Sequence, residues 1–399
     1  MRKFSKVVST AVACAMVLAM AACGSGAGNA DNNAGGSNTS STAEAGTTFK
    51  IGGIGPITGA AAIYGTNVMN GIQLAVDEIN ANGGVNGYNL ELNFQDDEHD
   101  AEKSVNAYNT VKDWGAQMII GSVTSTPCIA VSEKTHEDNM FQITPSGSAV
   151  KCTQYDNAFQ ICFSDPNQGA ASAQYIGENN LAQKVAVIYD SSDVYSSGIY
   201  ESFVKGAEDQ SFEIVVAEAF TADNKTDFSV QLQKAKDAGA DLVFLPIYYQ
   251  ESALILAQAN DMQYAPKWFS CDGMDGILSV ENFDTSLAEG VMLLTPFAAD
   301  SEDEASKKFT SAYEAAYNDT PNQFAADGYD AVYVIAEAIK ASNATPSMSA
   351  SEICDAFKSV MTEISVDGVT SSGMTWLATG EVNKEPKAVV IKDGSYTAM

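Results

Sequence analysis

Apolar and polar positions along this chain follow two rhythms that take turns. Phe49-Lys50-Ile51-Gly52-Gly53-Ile54 reads as a strand, and Leu90–Gln95 alternates as another. Between them Gly65–Asn82 carries Val68, Ile72, Val76 and Ile79 on one helical face, and Asn82-Gly83-Gly84 stops it. Ala116–Gly121, Phe141–Thr144, Val185–Tyr189, Asp241–Leu245 and Trp268-Phe269 are further apolar runs of strand length. The pattern predicts helices over Ala101–Trp114, Thr126–Asn139, Gly198–Gln210, Asp227–Ala238 and Ser252–Asp261. Repeated β–α–β units imply α/β architecture, with parallel sheets covered by helices on both faces. About 350 residues exceed one comfortable sheet, so two doubly wound lobes are expected.

The first residues read as an address. Arg2, Lys3 and Lys6 precede an apolar and small-residue run from Val7 to Ala22, too short to span a bilayer and suited to a signal peptide at 1–22. The run ends in Met20-Ala21-Ala22-Cys23, which resembles a bacterial lipobox with Cys23 as the lipidated residue; Cys14 fits that role less well. Residues 23–48 are Gly, Ala, Ser, Thr and Asn with few exceptions, so they cannot bury a core and are expected to form a flexible tether. The expected place is outside the cell membrane, held by a lipid anchor only.

Composition narrows the chemistry. With 21 Lys+Arg against 51 Asp+Glu, a formal charge of −30 argues against nucleic acid or an anionic membrane surface as partner. Only His99 and His136 are present, which leaves little for zinc or triad chemistry. No G-x-S-x-G elbow, H-E-x-x-H helix or G-x-x-x-x-G-K-[ST] loop occurs. Gly53-x-Gly55 fails as a dinucleotide fingerprint, because the third position is Thr58 and Pro56 removes an N–H. Asp96-Asp97-Glu98-His99-Asp100 lacks EF-hand spacing, and Asp100 reads more simply as the cap of the following helix. Neither metal nor cofactor is expected, and the chain does not read as an enzyme. Cys152 and Cys162 could pair in an oxidising compartment, which would leave Cys128, Cys271 and Cys354 free.

Open α/β sheets bind ligands beyond the carboxyl ends of their strands. Hydroxyls cluster there in the first half, at Ser122–Thr126 and Ser146-Gly147-Ser148; aromatics with one acid follow in the second, at Tyr195, Tyr248-Tyr249 and Asp272. Thr124-Ser125-Thr126-Pro127 opens a helix, where free N–H groups and hydroxyls suit a carboxylate, although a plain N-cap accounts for the same residues. Tyr248, Tyr249 and Phe324 could equally be core aromatics, and Asp272 a turn acid.

In order and spacing, several stretches resemble the branched-chain amino-acid (Leu/Ile/Val) binding-protein family of ABC importers, which has the type I periplasmic binding fold. They are Ile51–Gly59, Tyr64-Gly65, Gly71–Asn80, Asn82–Gly87 and Ala326-Asp327-Gly328-Tyr329-Asp330-Ala331. The resemblance implies a monomeric clamp whose two lobes close on one small molecule at a hinge of three crossing strands, and which delivers it to a membrane permease and its ATPase. It divides the chain into a lobe of 49–164 plus 295–367 and a lobe of 165–294 plus 368–399. It assigns the ligand carboxylate to Ser125 with Ser146, Gly147 and Ser148, the ammonium to Asp272, and the aromatic walls to Tyr64, Tyr195, Tyr248 and Phe324. Ser-Gly-Ser departs from the Ala-Ala-Thr usual in that family, so the ligand, most simply a branched-chain aliphatic amino acid, could be another small acid or an amide. The same clamp could instead serve a sensing receptor.

Overall fold

The computed structural model describes residues 48–399. The leader, Cys23 and the tether up to residue 47 lie outside the described residues, and Thr48, expected in the tether, opens the first strand. Among the described residues no helix is long and apolar enough to cross a membrane.

Two α/β units follow one another. The first runs β1 (Thr48–Gly55), α1 (Ala62–Ala81), β2 (Asn89–Asp96), α2 (Ala101–Trp114), β3 (Met118–Ile120), α3 (Ser125–Glu137), β4 (Phe141–Thr144) and β5 (Ala158–Gln160). Its sheet has the order β2-β1-β3-β4-β5, and all its pairs are parallel. β3 and β4 are buried along their whole length, as a strand covered on both faces should be. The second runs α4 (Asp165–Glu178), β6 (Lys184–Asp190), α5 (Val194–Ala207), β7 (Glu213–Phe220), α6 (Ser229–Asp237), β8 (Leu242–Leu245), α7 (Tyr249–Asp261), β9 (Lys267–Ser270) and β10 (Met292–Thr295). Three helices, α8 (Glu304–Tyr317), α9 (Gln323–Ser342) and α10 (Ala350–Lys358), return to the first sheet: α9 packs on α1 and α10 on β4. Finally β11 (Lys387–Lys392) and β12 (Ser395–Ala398) extend the second sheet to the order β12-β11-β10-β9-β8-β6-β7.

The last two strands are antiparallel, an addition to the expected parallel sheet. Asp393-Gly394 joins them with both residues at positive φ, the backbone a two-residue hairpin turn needs. Helix starts also differ from the sequence reading. α5 begins at Val194 rather than Gly198 because Asp193 accepts from Ser196 N and caps it. α4 escaped notice because its buried face is largely Gly, Ala and Ser; that face lets it approach α5 so closely that a Cβ on Gly169 would lie 2.4 Å from Ile199 O.

The chain passes between the sheets three times, after β5, after β10 and after α10. The third pass carries two isolated bridges, Val366 with Met374 and Trp376 with Val382. It is tied to the first pass by Trp376 Nε1 donating to Gln160 O at 2.8 Å. α9 anchors it from below: Asp330 accepts from Val369 N (2.8 Å) and Thr370 N (2.9 Å), and Lys384 donates to Asp327 at 2.9 Å. The Asp327 and Asp330 of the resemblance motif are thus structural residues. α9 is buried on nearly every side, as its all-round apolar sequence requires. At Gly71 the α1 backbone touches α9 so closely that a Cβ would lie 1.9 Å from Ala325 O.

All five described cysteines are free and buried, so the Cys152–Cys162 pair does not form. Cys152 packs instead with Cys128 and Ala149, its thiol directed at Ser125 O (3.7 Å).

Candidate functional site

Parallel strands present their carboxyl ends side by side, and both sheets aim theirs at one cleft. From the first unit come Tyr64 on α1, Val123 and Thr124 after β3, Ser125 opening α3, and Ser146 after β4. From the second come Tyr195 on α5, Tyr248 before α7, and Asp272 and Gly273 after β9, with Phe324 at the start of α9. Caps set several of these: Asp193 fixes the turn that presents Tyr195, and Asn322, accepting from Ala325 N, fixes the one that presents Phe324.

The cleft holds Tyr64, Ser125, Ser146, Tyr195, Tyr248, Asp272 and Phe324 together, as expected from sequence, but not Gly147 or Ser148. The turn folds back onto α3 instead. Gly147 N donates to Thr144 Oγ1 (2.7 Å), and Ser148 N and Ala149 N donate to Ser125 Oγ (3.3 and 3.2 Å). Ser148 is fully buried, and its Oγ has no hydrogen-bond partner.

Thr124 precedes α3 but makes no cap hydrogen bond. Its hydroxyl pairs with His99 Nδ1 at 2.8 Å. Cys128 N is the first amide to close the helix, on Thr124 O (2.9 Å), and Pro127 has no N–H. The amides of Ser125 and Thr126 therefore have no partner within the helix, which makes this end a ready acceptor of an anion.

Across the cleft sits one fully buried acid. Asp272 Oδ1 accepts from the Tyr195 hydroxyl (2.7 Å) and Oδ2 from Gln168 Nε2 (3.1 Å). Burial pushes its carboxyl up to about 7, and these donors only partly offset that. Tyr195 also accepts from Gly273 N (2.9 Å), so one ring oxygen orients both the acid and its turn.

Aromatic rings fill the middle. Tyr195 stacks on Tyr248 with centroids 4.9 Å apart, and Tyr64 lies 4.4 Å from Phe324 and 5.5 Å from Tyr248. The space left is about 10 Å³, room for one water, so a larger guest requires the walls to move. Beyond Tyr248 a second space of about 250 Å³ reaches solvent past His99, Asp193 and the Lys225–Glu251 ion pair. Burial, then Lys225, lowers the pKa of His99, and its ring meets Tyr248 edge-on at 5.5 Å.

Sequence reasoning did not single out Gln168, Val123, Gly273 or the His99–Thr124 pair as site residues. Gln168 lies on the helix that left no apolar signal, and His99 stood inside an acidic run that drew attention to metals. The acids of that run instead brace the loop: Asp96 accepts from Ile57 N and Glu98 N, Asp97 from His99 N, and Asp100 caps α2.

With this geometry in view, the likenesses to known proteins fall in one place. The family model described as periplasmic binding protein matches residues 48–394. The leucine-, isoleucine-, valine-, threonine- and alanine-binding protein of Pseudomonas aeruginosa is 31% identical over 302 residues, 75% of this chain and 80% of its own. The branched-chain amino acid transporter substrate binding protein LivJ of Streptococcus pneumoniae, solved with isoleucine, superposes with a TM-score of 0.80 at 29% identity, over 88% of this chain and 98% of that one. The leucine binding protein LivK of Thermotoga maritima gives 0.78 at 26%, over 88% and 97%. Two lobes of parallel sheet facing a shared cleft, matched from the first described strand almost to the last, make this chain a member of the periplasmic binding protein family.

Proposed function

We propose that the protein is the extracytoplasmic receptor of an ABC importer. It captures one small amino acid between its lobes and delivers it to a membrane permease and ATPase. One observation carries the reading: the buried carboxyl of Asp272 stands across the cleft from the open amides of α3, with aromatic rings between. A zwitterion needs donors for its carboxylate and an acid for its ammonium, and these charge-assisted bonds contribute roughly 1.5–3 kcal/mol each. Ser125 and the α3 amides receive the carboxylate, with Ser146 beside them; Asp272 receives the ammonium; Tyr64, Tyr195, Tyr248 and Phe324 enclose the side chain. Branched-chain aliphatic amino acids are the first candidates, since the Pseudomonas aeruginosa relative is named for leucine, isoleucine and valine beside threonine and alanine, and LivJ is solved with isoleucine.

The rings leave too little room for such a guest, so capture couples to lobe movement about the three crossings. In this reading 49–164 with 295–367 moves against 165–294 with 368–399, and Cys23 anchors a monomer to the membrane. The test is a thermal-shift panel of all common L-amino acids, small amides, aromatic carboxylates, polyols and sugars. A ligand that binds only the folded state raises the melting temperature. Stabilisation by a narrow set of aliphatic amino acids supports the proposal. Stabilisation only by molecules without an amino group removes Asp272 as an ammonium partner.

A further inference from the structure

Behind Ser125 two thiols share one small apolar pocket. Cys128 stands in the first turn of α3, and Cys152 in the short 3-10 turn Val150–Thr153, just past the Ser146–Ala149 loop. With Ala149 they form a cluster of their own, flanked by Ile129, and both are fully buried. Each sulfur is oriented. Cys128 Sγ accepts from Gln142 Nε2 (3.5 Å), whose shorter bond goes to Gly121 O (2.7 Å), and the Cys152 thiol points at Ser125 O (3.7 Å). Burial, then a hydrogen bond with the Cys128 thiol, holds the Cys152 thiol well above its ordinary pKa, which puts the two sulfurs next to each other. Cys162, the partner expected from sequence, is outside this cluster.

No step of ligand capture uses either thiol. A chain of the periplasmic binding protein family works outside the cytoplasm, where disulfides form and persist. We propose that Cys128 and Cys152 become joined by a disulfide as the chain folds there. The Cys128 sulfur, as thiolate, attacks a small external disulfide of the glutathione class and releases one thiol, which takes up the proton that Cys128 lost. Cys152 then loses its proton and displaces the second thiol, leaving the intramolecular bond. Two protein thiols give up two electrons, and the external disulfide becomes two thiols. Exchange precedes closure of the pocket, because the folded chain exposes neither sulfur. Little is lost on oxidation: the thiol contact to Ser125 O is long and weak, and Gln142 keeps Gly121 O. The bond closes a loop of about 25 residues around β4, which limits the freedom of the unfolded chain. It also ties together the two elements that meet at Ser125, whose Oγ already accepts from Ser148 N and Ala149 N. The inference stands apart from the ligand assignment, and its test needs no ligand.

The test is to unfold the whole chain, refold it with reduced and oxidised glutathione, quench in acid, alkylate without reduction and map the peptides by mass spectrometry. Cleavage before aspartates separates the three candidates: Asp113–Glu137 carries Cys128, Asp138–Tyr155 carries Cys152 and Asp156–Ser164 carries Cys162. Expected are a cross-link between the first two peptides, an alkylated Cys162, and a melting temperature about 5 °C higher without reductant than with it. Cys128→Ala and Cys152→Ala should each abolish the cross-link and the effect of reductant, whereas Cys162→Ala keeps both. Should Cys128→Ala not fold, Cys152→Ala decides. Alkylation of both Cys128 and Cys152 after refolding overturns the proposal, as do glutathione adducts in place of the cross-link. A bond between Cys152 and Cys162 also overturns it, and so does a Cys128–Cys152 bond that lowers the melting temperature, since that bridge would be strained against the fold.

Discussion

The hydroxyl of Tyr64, on one side of the cleft, donates to the carbonyl oxygen of Gly273, on the other, at 2.5 Å, and accepts from Tyr249 N at 3.3 Å. A single oxygen on α1 thereby touches both the turn that carries Asp272 and the start of α7. This contact exists only while the two sides are together. Tyr64→Phe keeps the ring and removes the latch, so it should weaken the closed form by about 1 kcal/mol. The expected result is a several-fold rise in dissociation rate for the cleft ligand with little change in association rate, read by stopped-flow fluorescence. An unchanged dissociation rate would show that the contact does not hold the lobes.

In the proposed reading Asp272 has the opposite role, holding the guest rather than the walls. Replacing it by Ala leaves an ammonium without a counter-charge in a closed site, at a cost of about 3–5 kcal/mol. Calorimetry should then show affinity for the preferred amino acid falling by about two to three orders of magnitude. Tyr195→Phe removes the donor to Oδ1 and the acceptor of Gly273 N while leaving the charge in place, and its smaller loss, about tenfold, separates orientation of the acid and its turn from the charge. Near-wild-type affinity in Asp272→Ala would dismiss the zwitterion geometry.

The buried acids set a pH dependence whose sign follows from their direction. Burial raises Asp272 to about 7, and Asp97, Asp193, Asp275 and Asp327 to about 6. In the window from about 4 to 7 the folded, ligand-free chain keeps protons that the unfolded chain has released, so stability falls as pH rises through it. Asp272 alone accounts for something on the order of 2–4 kcal/mol. The ligand-free protein should melt higher at about pH 5 than at about pH 7.5, and Asp272→Asn should reduce that difference. A melting temperature that climbs over the same interval would contradict these assignments.

Much of this could be read in the sequence, and the rest was hidden for definite reasons. Strands flanked by turn residues, such as Phe141–Thr144, and helices with large apolar residues or a capping acid, such as Ala101–Trp114, came out at or near their true bounds because local chemistry alone decides them. α4 did not, since its packing rests on small residues whose absence of bulk is the signal. In the site, residues just past strand ends, such as Tyr64, Ser125 and Asp272, fall together because the parallel sheet aligns those ends. Ser148 stands outside the cleft lining, its N–H bonded to Ser125 Oγ, a long-range contact that the sequence pattern does not encode. His99 and Gln168 belong to long-range pairs, with Thr124 and Asp272, that no local pattern encodes.

The third crossing rests on a charge pair that admits a sharper test. The side chains of Lys384 and Asp327 are 0% and 2% exposed, and Asp330 beside them already accepts from Val369 N, Thr370 N and Thr370 Oγ1. Lys384 is the only basic partner among these contacts, so Lys384→Met leaves buried carboxylates without a counter-ion and should lower unfolding free energy by about 3–5 kcal/mol. Removing the acid as well, in Lys384→Met/Asp327→Leu, replaces the pair by apolar groups and should recover most of that loss, because the desolvation cost of both charges disappears together. Denaturant melts of the two variants and of Asp327→Leu close the cycle. If the double variant is as unstable as the sum of the singles, the pair acts through packing and not through charge.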